Sequence, residues 1–170
     1  MVKIARRIRL LLLDVDGVLT DGRLIYGASG ETTKVFNVRD GHALVVAREA
    51  GLEVAIISGR SSAAVKRRMS ELGVGDVHQG VRDKAALLAR LCARRGIRPD
   101  AVAFMGDDLP DLALMRRVGL ALAPADAVPE VRRVAQWISR RPGGGGAVRE
   151  AIEWLLGVRG AWPTESSRKR

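Results

Sequence analysis

At 170 residues, 47% of them hydrophobic, the chain suits one globular domain around a single sizeable core, a composition that argues against a disordered protein. Its apolar runs are short and broken by charge, so no membrane-spanning helix is expected, and Asp14 ends the first run too early for a signal-peptide core; a cytoplasmic protein without a membrane partner is expected. The net charge of +10 comes largely from arginine pairs at or just beyond the ends of expected helices, such as Arg67 with Arg68 and Arg94 with Arg95, and aromatics are few, so a small anionic substrate is favoured over nucleic acid.

Apolar β-type runs alternate with helical patterns along the chain. Residues 8–13 predict a first strand, and 22–37 a hairpin with GASG at 27–30 as its turn. A helix is expected from Asp40 as N-cap to Ala50, stopped by Gly51, and a core strand at 53–58. Ser61 is expected to cap a helix with Val65, Met69 and Leu72 on one face, followed by a short strand at 76–79. Asp83 can cap a helix to Arg95 whose inward face is Leu87, Leu88 and Leu91. Cys92 falls on that helix as a core residue, and as the only cysteine it leaves no internal disulfide and no cysteine-based zinc site. A strand at 101–105, a helix from 109 stopped by Gly119, a strand at 120–123, a short helix from 129, an edge strand at 136–139 and a helix from 147 complete the series. PGGGG at 142–146 reads as a loop, and 159–170 as a flexible tail. The alternation predicts an α/β fold, a parallel sheet with helices on both faces, whose ligand sits beyond the carboxyl ends of the strands.

The polar clusters fall at those ends. DVDG places Asp14 and Asp16 two residues apart after the first strand, a crowding of like charge that calls for a cation. A calcium loop starting at Asp14 fails, because Val18 and Leu19 stand where an oxygen ligand and a glycine are required. Mg2+ is the more natural ion, and a carboxylate there can also act as a nucleophile with its neighbour transferring a proton. Ser58 closes the second core strand ahead of a helix start. Lys84 sits early in its helix, where the dipole disfavours a cation. MGDDLPD supplies Asp107, Asp108 and Asp111, more acids than capping explains. Together they offer nucleophile, phosphate donor, cation and metal ligands at one sheet edge, the requirements of phosphoryl transfer.

The order DVDGVLTDG, VFNVRDGHA, VAIISGR, HQGVRDK, AFMGDDLPDL and GAVRE resembles the haloacid dehalogenase superfamily, and within it the 3-deoxy-D-manno-octulosonate 8-phosphate phosphatase family, over nearly the whole chain. The stretches between Asp16 and Ser58 and between Ser58 and Lys84 are too short for a separate cap domain, so a Rossmann-like, capless domain at 1–158 with the hairpin as flap is expected; the resemblance implies a homotetramer. It implies Asp14 as nucleophile and Asp16 as the acid and base. Mg2+ would be held by Asp14, the Asp16 main-chain carbonyl and Asp107, supported by Asp108 and Asp111, with Ser58 and Lys84 on the phosphoryl oxygens. Arg39, Arg60 and Thr20 are expected to meet the substrate, a small phosphorylated sugar acid. One departure is Gly145, where the family often has a basic residue within GGxGA. The alternatives are a phosphatase for a nonulosonic, sialic-acid-type 9-phosphate, a non-catalytic module assisting a sugar-acid cytidylyltransferase, and a nucleic-acid end phosphatase supported by charge alone.

Overall fold

A computed structural model describes residues 1–28 and 30–163; the end of the expected tail, 164–170, lies outside the described residues. After a short helix α1 (Val2–Ala5), strand β1 (Leu10–Leu13) consists of four fully buried leucines. Alternate leucines point to opposite faces, so a strand of this composition must be covered on both sides. It lies at the centre of a six-stranded, all-parallel sheet. With β4 (Glu53–Ile57), β5 (Val77–His78), β6 (Val102–Met105), β7 (Leu120–Ala123) and β8 (Trp137–Ile138), the order is β5-β4-β1-β6-β7-β8. Leu11, Leu13, Ile56 and Met105 face a layer formed by α1, α2 (Val38–Glu49), α3 (Ala63–Glu71) and α7 (Ala147–Val158). Leu10, Leu12, Ile57 and Phe104 face α4 (Lys84–Arg95), α5 (Leu112–Met115) and α6 (Pro129–Val134). Cys92 is buried in that second layer, as its helical position predicts. At the sheet's far edge Trp137 stacks on Trp154 of α7, with centroids 5.5 Å apart.

Between β1 and α2 the hairpin β2 (Ile25–Gly27) and β3 (Gly30–Thr33) stands apart from the main sheet, its strands antiparallel. Leu24, Ile25, Tyr26, Val35 and Val38 are exposed on and beside it.

Four local features depart from the sequence pattern. Asn37, not Asp40, caps α2, its Oδ1 accepting from Arg39 N at 2.8 Å; Asp40 is drawn inside and caps a different helix, α7, accepting from Arg149 N at 2.7 Å and Gly146 N at 3.2 Å. Helix α3 starts after Ser62 rather than Ser61, and Ser62 N is satisfied instead by Gln79 Oε1 at 2.7 Å. The helix expected from 109 is split into a 3-10 turn (Leu109–Asp111) and the one-turn α5, because the Asp111 carboxylate turns back to accept from Asp107 N and Asp108 N. The first residues of the expected tail pack onto the body: Arg159 donates to the carbonyls of Ala5 and Ile8, and the Arg149 guanidinium lies over the Trp162 ring, 4.5 Å from the ring centroid.

Candidate active site

The chain leaves β1 at Asp14, whose N donates to Met105 O at 3.1 Å, and turns at once. Val15 O accepts from the backbone N of Val18, Leu19 and Thr20, and the Thr20 hydroxyl reaches it at 3.3 Å. That closed turn presents Asp14 and Asp16 at the carboxyl edge of the sheet. Gly17 makes it possible: its φ is +85°, and a Cβ there would overlap the Asp107 carboxylate. The glycine loop at 142–146 presses on the turn from outside. Gly144 N donates to Val18 O at 3.0 Å, and a Cβ on Gly143 would run into the carbonyl of Gly17.

A cavity of about 320 Å³ opens at this edge, lined by Asp14, Asp16, Ser58, Arg60, Lys84 and Asp107 among others. Ser58 is buried at the end of β4 and its Oγ accepts from Arg60 N at 3.2 Å. Lys84, at the first position of α4, is 7% exposed; its Nζ lies 3.0 Å from Asp14 Oδ1 and 2.6 Å from Asp111 Oδ1. An ammonium buried at a helix start, against both desolvation and dipole, persists because those carboxylates hold it. Burial works against the charged lysine, but Asp14 and Asp111 outweigh it and raise its pKa.

One lysine does not neutralise the acids around it. Carboxylate oxygens of Asp14, Asp107 and Asp111 lie within 4.8 Å of one another. Burial, opposed by Lys84 and reinforced by Asp111, raises the Asp14 pKa to about 6. Burial and the charges of Asp14, Asp111 and Asp108 push Asp107 up to about 8. Asp111 has both oxygens engaged, one by Lys84 and the other by the amides of Asp107 and Asp108, so its task is to hold that loop and the lysine. Asp108 is spent on Leu109 N at 2.7 Å. Asp107 Oδ1, by contrast, is buried with no hydrogen-bond partner among the described residues. An all-oxygen cluster with excess negative charge and an orphaned carboxylate oxygen fits a hard divalent cation such as Mg2+.

The acids, Ser58 and Lys84 are thus gathered as expected from four separated segments, and Arg60 stands at the rim, its Nε 3.8 Å from Asp16 Oδ2. Two expectations do not hold for this chain's own cavity. Thr20 is 3% exposed and spends its hydroxyl bracing the turn, donating to Val15 O and accepting from Gly22 N, so it does not line the cavity. Arg39 lines a separate depression with Arg141, Gly145 and Arg149, because the capped start of α2 directs it away from the acids. Sequence reasoning missed Lys34: its Nζ lies 2.5 Å from Asp16 Oδ1 and its side chain is 2% exposed. Nothing in TTKVFN signals this, since the lysine sits in an alternating hairpin limb where exposure is the default.

Comparisons with known proteins agree with this geometry. The family model for haloacid dehalogenase-like hydrolases matches residues 75–152. The 3-deoxy-D-manno-octulosonate 8-phosphate phosphatase of Escherichia coli K12 is 45% identical over 156 residues, which is 92% of this chain and 83% of that protein. The enzyme of the same name from Moraxella catarrhalis, whose crystal structure holds magnesium, phosphate and 3-deoxy-D-manno-octulosonate (KDO), superposes with a TM-score of 0.90 at 41% identity, covering 92% of this chain and 90% of that one. The cobalt-bound phosphatase from Haemophilus influenzae gives a TM-score of 0.93 at 34% identity, covering 98% and 99%. Strand order, acid cluster and likeness over nearly the full length agree, and the chain belongs to the haloacid dehalogenase-like hydrolases, in the family of the 3-deoxy-D-manno-octulosonate 8-phosphate phosphatases.

Proposed function

We propose that this chain is a Mg2+-dependent phosphomonoesterase that hydrolyses 3-deoxy-D-manno-octulosonate 8-phosphate to KDO and inorganic phosphate through a phosphoaspartate. The observation that carries it is the buried grouping of Asp14, Lys84 and the orphaned Asp107 carboxylate beside the cavity. The relatives named above supply the substrate.

Asp14, Asp107 and the Asp16 main-chain carbonyl would hold Mg2+, which when bound supplies positive charge to the phosphoryl oxygens. Asp14 attacks phosphorus; the bond to the sugar oxygen breaks, and that oxygen takes a proton from the Asp16 carboxyl. Asp16, now a carboxylate, accepts a proton from water as the water attacks the aspartyl phosphate, which returns the electron pair to Asp14 and releases phosphate. Lys84 and Ser58 bind the phosphoryl oxygens, and Lys84 remains anchored by Asp111 throughout. Arg60 is placed to meet the sugar acid, whose carboxylate suits a guanidinium.

The exposed apolar residues of the hairpin support self-association, a homotetramer in which neighbouring copies shield an otherwise open cavity. No helix among the described residues is long and apolar enough to cross a membrane, and we place the enzyme in the cytoplasm as one capless domain over 1–158 with the hairpin as flap.

Phosphate release from 3-deoxy-D-manno-octulosonate 8-phosphate, a nonulosonate 9-phosphate and simple sugar phosphates, with Mg2+ or with chelator, tests the reading. The octulosonate ester should lead by roughly tenfold or more in kcat/KM, as expected when a pocket measures one carbon unit. Asp14→Asn should lower turnover by about 10³-fold or more while the protein stays folded. Equal kcat/KM on the eight- and nine-carbon esters would defeat the substrate choice, and near-normal turnover by Asp14→Asn the mechanism.

A further inference from the structure

Asp16 is gripped from both sides, and one grip comes from the hairpin. Lys34 follows β3 and brings its ammonium to 2.5 Å from Asp16 Oδ1, with 2% of its side chain exposed. Arg60 approaches the other oxygen, Oδ2, at 3.8 Å, and its Nη2 donates to the hydroxyl of Tyr26 on β2 at 3.3 Å. A lysine gives up much rotamer freedom and hydration to be held there, and a carboxylate receiving an ammonium on one oxygen has its plane and rotamer fixed.

We propose that Lys34 is a positioning residue for the proton transfer at the leaving oxygen: it pins Asp16 Oδ1 and so turns Oδ2 toward the Arg60 side of the cavity, where the substrate's bridging oxygen arrives. The inference rests on Asp16 being the acid of the proposed function. It makes the hairpin more than a cover. Its return limb carries the group that aims the acid, so displacement of the hairpin misaims Asp16 while Asp14, Lys84 and Asp107 keep their places.

The test uses leaving-group dependence. A sugar alkoxide needs a proton to depart, a nitrophenolate does not, and both substrates give the same phosphoaspartate, so the later hydrolysis cancels from the ratio of their kcat/KM values. Lys34→Met in the full chain should lower kcat/KM on 3-deoxy-D-manno-octulosonate 8-phosphate by about 10²-fold, within the range for general acids, and on p-nitrophenyl phosphate by about threefold or less. Lys34→Arg should restore the ratio to within roughly tenfold of wild type, since it keeps the charge and the donor. Asp16→Asn serves as reference and should show the same selective loss. If Lys34→Met does not fold, Lys34→Gln replaces it in the same comparison. Equal losses on both substrates, or no loss, beside a selective loss in Asp16→Asn, overturn the role of Lys34 alone. A non-selective Asp16→Asn overturns the assignment of Asp16 and the inference with it.

Discussion

Asp40→Ala tests the tie between α2 and α7. The Asp40 side chain is 1% exposed and accepts two backbone hydrogen bonds at the first turn of α7, from Arg149 N at 2.7 Å and Gly146 N at 3.2 Å. Each such bond to a charged group contributes about 1.5–3 kcal/mol. Burial of the carboxylate, which raises its pKa, takes part of that back. The net loss in Asp40→Ala is then about 2–4 kcal/mol, which for a chain of this length lowers Tm by roughly 5–15 °C. Asp40→Asn keeps one acceptor oxygen and should fall between the two. Urea unfolding followed by circular dichroism, at one protein and one Mg2+ concentration, reads the difference without mass-action artefacts. A change below about 0.5 kcal/mol, the size of an ordinary surface substitution, would refute the assignment of Asp40 as the cap of α7.

Two further outcomes concern the acid cluster. Asp14 and Asp107 retain protons in the folded, metal-free protein up to about pH 6 and about pH 8, whereas an unfolded chain has lost them near pH 4. The folded state therefore binds more protons across that window, and metal-free stability falls as pH rises from about 4 to 8. Mg2+ must displace those protons, so the melting-temperature increase it gives should grow between pH 6 and pH 8; an increase that shrinks over that interval contradicts the cluster's electrostatics. Gly17→Ala introduces a Cβ into the Asp107 carboxylate on a backbone at φ +85° and should weaken Mg2+ binding by roughly 10–100-fold, read by calorimetry with the metal alone. Unaltered Mg2+ affinity in that variant would remove Asp107 from the ligand set.

The parallel sheet was legible because burial on both faces writes itself as uninterrupted apolar runs such as LLLL and VAFM, and because glycines and acids mark where those runs end. The polar rim of the site was legible for the same reason, since Asp14, Ser58 and Asp107 each follow a strand that periodicity locates. What stayed hidden depends on segments meeting across the fold. Asp40 sits where a local N-cap would sit, and only the docking of α7 shows which helix it serves. Lys34 looks like a surface lysine until the hairpin folds over Asp16. Thr20 and Arg39 carry the right chemistry in the right stretch, yet one is turned inward by its own tight turn and the other outward by the start of α2.

The contact between Gly144 and Val18 has a consequence for how much of the chain an active enzyme requires. Asp14, Asp16, Ser58, Lys84, Asp107 and Asp111 all precede α5, so a chain cut after β7 would still contain every group assigned to the chemistry. It would lack the glycine arch that seats the nucleophile's turn and the helix that carries the arch. Synthesis of the first strand therefore does not complete the catalytic edge. The nucleophile's turn thus takes part of its bracing from the last quarter of the polypeptide.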